Sequence, residues 1–329
     1  MKDYVPPFTV TNNMLSYISS IMENLGRMDN YKNLNRMPIL RKNNRIRSIH
    51  SSLAIEANSL SFEQVKDIIN DKLVAGPKKE ILEVKNAYRA YEMMDLINPY
   101  SVKDLKKVHG VMMNLLIEDS GKYRLGKEGV FDKDKYIFMA PGPEMVDQLI
   151  KNLFCWLKEN KDSIHPLILS SVFHYEFLFI HPFSDGNGRM ARLWQNVILG
   201  NWKELFFYMP LESQIKRYQD EYYQVIDICN HEGNSTLFIE FMLRMINESL
   251  NMLMDSSSKS IGIVNQNTRR LLDAMSDIPM SALEIMDELG IKSRETFRNT
   301  YLNPAIENGL VKLTIPDKPT SKNQKYYKE

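Results

Sequence analysis

HPFSDGNGRMAR, residues 181–192, brings a histidine, an acid, two glycines around an asparagine and two arginines into twelve positions. A core helix has no use for such a set. The flanks are apolar at helical spacing, LSSVFHYEFLFI (169–180) before it and LWQNVIL (193–199) after it. The stretch therefore reads as a loop between two buried helices, its second half opening the later one. Unpaired amides and the positive end of the backbone dipole make such a helix start a seat for an anion. Gly186 and Gly188 let the main chain come close to it. Arg189 and Arg192, three apart on the first turns, can grip phosphate oxygens through planar forks. Asp185, acidic amid positive groups, suits Mg²⁺ held against phosphates with water as the main ligand. His181 titrates near neutrality and can take a proton from an attacking hydroxyl. Each feature alone has an ordinary reading: a structural His-Pro, a turn, solvated arginines. In this order they describe a polyphosphate site with a base beside it.

The rest of the chain agrees in class. With 329 residues, 43% hydrophobic and 25% charged, it has the composition of a globular protein with room for one large domain and a smaller one. A net charge of +1 gives no global field for nucleic acid or membrane. No apolar run approaches membrane-spanning length and MKDYVPPFTV lacks a signal core, so a cytoplasmic location is expected. Cys155 and Cys229 lie far apart inside apolar helical patterns and read as buried packing residues. Helical periodicity dominates: 41–57, a helix opened by Ser61 with Gln64 at capping-box spacing, 80–97, 101–117, 144–159, 166–179, 188–199, and two or more helices up to Leu253. The break at SGKYRLGKEGVFDKDKYIFMAPGP, 120–143, predicts a short exposed hairpin.

Beyond it, MDSSSKS (254–260) reads as a linker. Residues 266–315 read as three helices and the strand LVKLTI, with a second strand at QKYY, the pattern of a small winged helix–turn–helix. The domains expected are thus an N-terminal helical region, 1–75, a core, 76–250, a linker, 251–265, and the winged unit, 266–329.

The 181–192 stretch resembles the signature of the Fic family, His-x-Phe-x-(Asp/Glu)-Gly-Asn-Gly-Arg-x-x-Arg, at every fixed position, and the resemblance extends from about residue 45 to about 245. It implies a mainly α fold, a helical bundle with a hairpin flap, and transfer of AMP from ATP to a Ser, Thr or Tyr hydroxyl of a protein, the chain itself included. By that resemblance His181 is the general base, Asp185 places Mg²⁺, and Asn187 with the amides of Gly186 and Gly188 binds the α- and β-phosphates. Arg189 and Arg192 take the outer phosphates, and Phe183 is a core anchor. The 120–143 hairpin is similar to the family's flap, which aligns the target by strand addition. YYQVIDICN (222–230) resembles its nucleoside-contacting helix, placing Tyr223 and Asn230 at the adenosine; a core aromatic is the alternative for Tyr223. The intact Gly-Asn-Gly-Arg loop is the AMP-transferring version, unlike that of a relative that phosphorylates.

On the 41–57 helix Ile46, Ile49 and Leu53 mark an apolar stripe, and the next position on it is Glu56. A carboxylate there is costly unless it is paired. SLAIEAN (52–58) resembles the family's inhibitory motif, (Ser/Thr)-x-x-x-Glu-(Gly/Asn), in which the acid pairs with the second arginine, here Arg192, steadied by Ser52 one turn earlier. Ala57 departs from the pattern. One guanidinium cannot hold Glu56 and a γ-phosphate together, so the resemblance implies autoinhibition, and in some relatives the same acid serves AMP removal. Relatives of this arrangement often dimerise. A second reading makes the chain a DNA-binding regulator acting through 266–329, whose candidate recognition helix, 293–309, carries Arg294, Thr296, Arg298 and Asn299 near its start and is interrupted by Pro304; a protein docking or dimerisation module is the alternative for this unit.

Overall fold

The computed structural model describes residues 4–29, 38–127, 129–132, 135–263, 266–276, 278–307, 310–319 and 321–328. Of the segments read from sequence, residues 30–37, residues 128 and 133–134 of the hairpin, 264–265 of the linker and 308–309 of the recognition-helix candidate lie outside them. The chain forms two units, residues 1–26 with 41–250 and residues 27–40 with 251–329. The boundary expected at 75/76 therefore falls inside one packed unit.

The first unit is helical apart from one hairpin. Its order is α1 (Asn12–Asp29), α2 (Pro38–Ile55), α3 (Phe62–Ile69), α4 (Lys78–Tyr91), α5 (Val102–Met112), β1 (Gly129–Asp132), β2 (Lys135–Met139), α6 (Pro143–Glu159), α7 (Pro166–Ile180), α8 (Asn187–Trp202), α9 (Leu211–Arg217), α10 (Gln219–Glu232) and α11 (Thr236–Ile263). α7 and α8 are the centre. α7 is buried on nearly every side, as a helix apolar all round must be. It starts on Pro166, whose missing N–H costs nothing at a first turn, while His165 Nδ1 accepts the Leu167 amide at 3.3 Å. α8 packs along it with Trp194 fully buried.

α3 begins as predicted: Ser61 Oγ accepts the Gln64 N–H at 3.3 Å and Gln64 Oε1 accepts the Ser61 N–H at 2.9 Å. β1 and β2 pair antiparallel with Val130 opposite Phe138 and a bulge between Val130 and Phe131. β2 runs beside α10. Cys229 is buried, but Cys155 is exposed, a correction: it lies off the stripe of Val146, Ile150, Leu153 and Leu157 that α6 buries. The stretch 254–260 continues α11 instead of forming coil. Serine and lysine lower helix propensity only slightly, and MDSSSKS has no Gly or Pro to stop a helix already running.

The second unit holds α12 (Gln266–Ala274), β3 (Met280–Ser281), α13 (Ala282–Glu288), α14 (Arg294–Thr296), α15 (Asn303–Glu307), β4 (Val311–Leu313) and β5 (Lys325–Lys328). Its antiparallel sheet is ordered β3-β5-β4, and β3 is the strand that sequence patterning missed. Leu271, Ile285, Phe297, Tyr301, Leu302, Val311 and Tyr326 form its core. Pro304 does not interrupt the helical run over 294–307. A π-helical stretch, Phe297–Leu302, joins α14 to α15, and the Asn303 amide reaches five residues back to the Arg298 carbonyl. That wider turn makes room for a ring with no amide to offer.

Candidate active site

The loop between α7 and α8 is built by exceptions to helical geometry. His181 ends α7 in the left-handed region, φ 49° and ψ 61°, its amide still bonded to Phe177 O at 3.0 Å. Gly186, φ 83°, turns the chain into α8, and a side chain there would strike Met113 Sδ. Phe183 pins the loop between them, fully buried and stacked on His109 with ring centroids 3.6 Å apart.

His109, which sequence reading missed, is a fixed support. Its Nδ1 accepts the Gly121 amide at 2.8 Å and its Nε2 faces the Asp185 carbonyl at 3.0 Å, so the neutral tautomer with a proton on Nε2 satisfies both. Burial pushes its pKa down to about 4. Only its place in the last turn of the helix before the hairpin could have marked it.

Asn187 is turned back onto the loop. Its Oδ1 accepts the Phe183 amide at 3.0 Å and its Nδ2 donates to Phe183 O at 2.7 Å. In this geometry it shapes the loop. Asp185 Oδ1 accepts the Gly186 amide at 2.5 Å and Arg189 Nη2 at 2.9 Å. Arg189 Nη1 also lies 3.8 Å from Glu83, and its buried Nε has no hydrogen-bond partner among the described residues. Glu83 in turn accepts Asn58 Nδ2 at 2.8 Å, tying the end of the Glu56 motif to Arg189. Sequence reading assigned Glu83 nothing.

Arg192 is 2% exposed. Its Nη2 donates to Glu56 Oε1 at 2.6 Å and to Ser52 O at 3.1 Å, and its Nε to Ser52 Oγ at 3.1 Å. Burial works against its charge, but the Glu56 carboxylate and Tyr222 outweigh it and the guanidinium holds its proton more tightly. Behind it Tyr91 OH and Asn196 Nδ2 donate to buried Glu212 at 2.8 and 2.7 Å.

Glu56 itself is not buried; its side chain is 30% exposed. α2 stops at Ile55, so Glu56 caps the helix instead of continuing its stripe. The carboxylate then lies over the start of α8, where a side chain on Gly188 would collide with Glu56 Oε1. An acid thus sits at the anion seat of α8.

Tyr223 is 47% exposed, which rules out the core-aromatic alternative; its neighbour Tyr222 is the buried ring. Tyr223 lies near enough to Glu56 and Arg192 to feel both charges, although burial is the larger cause of its raised pKa. Asn230 Oδ1 accepts Tyr175 OH at 3.0 Å. Both stand on α10, beside the hairpin. In the second unit Arg294, Thr296, Arg298 and Asn299 are all exposed.

No group of three or more His, Cys, Asp or Glu side chains converges among the described residues. A magnesium ion carried by a nucleotide needs only one or two carboxylates, with phosphates and water completing the shell. Asp185, its side chain 45% exposed, fits that donor set.

Comparison with known proteins bears on this arrangement. Residues 99–199 match the Fic/DOC family, and residues 266–327 match the C-terminal domain of proteins like Filamentation induced by cAMP protein Fic. The crystal structure of a Fic family protein from Desulfovibrio desulfuricans G20 is 40% identical, covers 99% of this chain and 98% of its own, and superposes with a TM-score of 0.75. The chain belongs to the Fic family. A Fic domain containing signaling protein from Bacteroides thetaiotaomicron shares the Fic fold at 20% identity and a TM-score of 0.59, over 75% of this chain and 97% of that one. Protein adenylyltransferase Fic of Nematostella vectensis is 28% identical over 238 residues, 69% of this Fic chain and 52% of that protein. That of Culex quinquefasciatus is 29% identical over 224 residues, 65% and 42%. This Fic protein spans about half the length of the curated relatives it matches. No helix among its described residues is long and apolar enough to cross a membrane.

Proposed function

We propose that this Fic protein is a protein adenylyltransferase held in check by Glu56. Neutral His181 takes the proton of a target Ser, Thr or Tyr hydroxyl. The oxygen attacks the α-phosphorus of ATP, the bond to the β-phosphate oxygen breaks, and pyrophosphate leaves with that electron pair. The amides at the start of α8 and the forks of Arg189 and Arg192 stabilise the departing charge. Mg²⁺ bound at Asp185 would screen the phosphates. The hairpin offers a strand edge for the target's main chain.

The observation that carries this reading is the Arg192–Glu56 pair at 2.6 Å over Gly188, an internal carboxylate on the anion seat of a nucleotide's phosphates. A charge-assisted hydrogen bond contributes roughly 1.5–3 kcal/mol, so removing the competitor is expected to raise AMP transfer about 10- to 100-fold. The test is labelled ATP with Glu56→Gly, the unaltered chain and His181→Ala in the Glu56→Gly background, incubated with a cell lysate. Equal labelling of the first two defeats the inhibitory reading. Labelling that survives His181→Ala defeats the general base.

A further inference from the structure

Arg124 lies in the short extended segment that leads into the hairpin and is only 1% exposed. Its bonds converge on two places. Toward the α7–α8 loop its main-chain N–H donates to Pro182 O at 3.0 Å, its Nε to His181 O at 2.6 Å and its Nη2 to Ile180 O at 3.3 Å. Toward the hairpin its Nη1 donates to Gly126 O at 2.8 Å and its Nη2 to Pro141 O at 2.5 Å. Gly126 precedes β1 and Pro141 follows β2, so both feet of the hairpin meet three successive carbonyls of the loop on one residue.

We infer that Arg124 is a positioning residue that seats His181 and the hairpin in one register. This rests on the reading of His181 as the base. The physical ground is the end of α7. Its last carbonyls have no helical partner, and the backbone dipole makes them partly negative. His181 then takes a left-handed conformation that L-residues disfavour and that persists only where its surroundings enforce it. A guanidinium supplies what those surroundings need, a charge and a planar fork whose donors point in several directions at once. A lysine in its place would keep the charge and lose the fork. Because the same fork holds Gly126 and Pro141, a target strand laid along the hairpin is presented at a set distance from the imidazole. Loss of that register, by the measure that a 1 Å misplacement can cost about 100-fold, would fall on the chemical step and not on nucleotide capture.

The test compares Arg124→Lys and Arg124→Met with their parent, Glu56→Gly in the full chain. ATP affinity is read by calorimetry, kcat and its pH profile by AMP transfer, folding by thermal melts, and the His181 imidazole by its proton resonance, assigned with His181→Ala. Expected are ATP affinities within about threefold of the parent and kcat lower by about 10- to 100-fold in both variants. The His181 midpoint moves to higher pH in Arg124→Met and much less in Arg124→Lys, since only the former removes a neighbouring positive charge. A folded Arg124→Lys with the parent's kcat, or a kcat loss matched by equal loss of ATP affinity, overturns the inference. If Arg124→Met does not fold, the Lys variant alone decides through its kcat. If the parent transfers no AMP, the function proposed above fails, and the His181 titration still tests the seating: an unmoved midpoint in Arg124→Met defeats it.

Discussion

His181 carries its imidazole from a backbone conformation that few L-residues adopt, and the ring is largely enclosed. Burial lowers its pKa below 6.5; a bond to the Leu178 carbonyl pulls the other way, and the Arg124 charge reinforces burial. The sign matters for a base. A lowered pKa keeps the proton-accepting form populated as the pH falls below 6.5, where a solvated histidine would already be half protonated. The kcat/KM for AMP transfer by Glu56→Gly should therefore fall on its acid limb with a midpoint below 6.5. A midpoint at or above 6.5 would contradict this environment for the base. Around His181, motif spacing singled out the arginines and Gly186, which the fold brings to the same loop and helix start. It could not foresee that Asn187 spends its amide on Phe183, because that depends on how tightly the loop folds back.

At the scale of the element, the end of α2 gives the inhibition proposed for Glu56 its geometry. The Asn58 amide reaches back to Leu53 O at 3.1 Å and the Ala57 amide to Ala54 O at 3.3 Å, a Schellman turn with Glu56 at the cap. Lys216 Nζ and Gln219 Nε2 take the Ala54 and Ile55 carbonyls at 2.9 and 3.3 Å. On the function proposed above, a helix held this firmly stays in place and only the Glu56 side chain rotates aside for ATP. The turn puts Ala57 at φ 65°, a position where glycine is at ease and alanine is not. This gives the departure at Ala57 a physical meaning, since it weakens the clasp that presents Glu56. Ala57→Gly should stabilise that turn by about 1 kcal/mol, raise the melting temperature by about 2 °C and lower AMP transfer about fivefold. The drop in transfer should vanish when Glu56 is already Gly. A decrease that persists in the double variant would place the effect outside the latch.

Across the whole first unit, a long-range pair ties the N-terminal segment to the central helix. Tyr4 OH donates to Glu176 Oε2 at 2.5 Å, and Glu176 is 2% exposed on α7. Burial lifts the Glu176 pKa from 4.5 to about 7, the Tyr4 bond offsetting part of it. An acid whose folded pKa is raised keeps its proton in the folded chain after the unfolded chain has lost it. Stability is thus lost as the pH rises from about 4.5 to 7, by up to about 3 kcal/mol. Glu176→Gln, which mimics the protonated form, should raise the melting temperature at pH 8 and lose most of that gain at pH 4.5. An equal gain at both pH values would mean that Glu176 does not titrate in this window.

Sequence by itself determined the helical class, the loop between α7 and α8 and the capped start at Ser61, because spacing of three and four on a helix and the conformational freedom of glycine are local facts; the pairing of Glu56 with Arg192, 136 residues apart, was implied by the family resemblance alone. Only tertiary structure decided that His109, Glu83 and Arg124 complete the site, since their roles come from contacts with residues tens of positions away. It also gave Pro304 a π-helical turn and left Cys155 in solvent. Both depend on which face of a helix the rest of the fold covers, and a packing term has no signature within a single window of sequence.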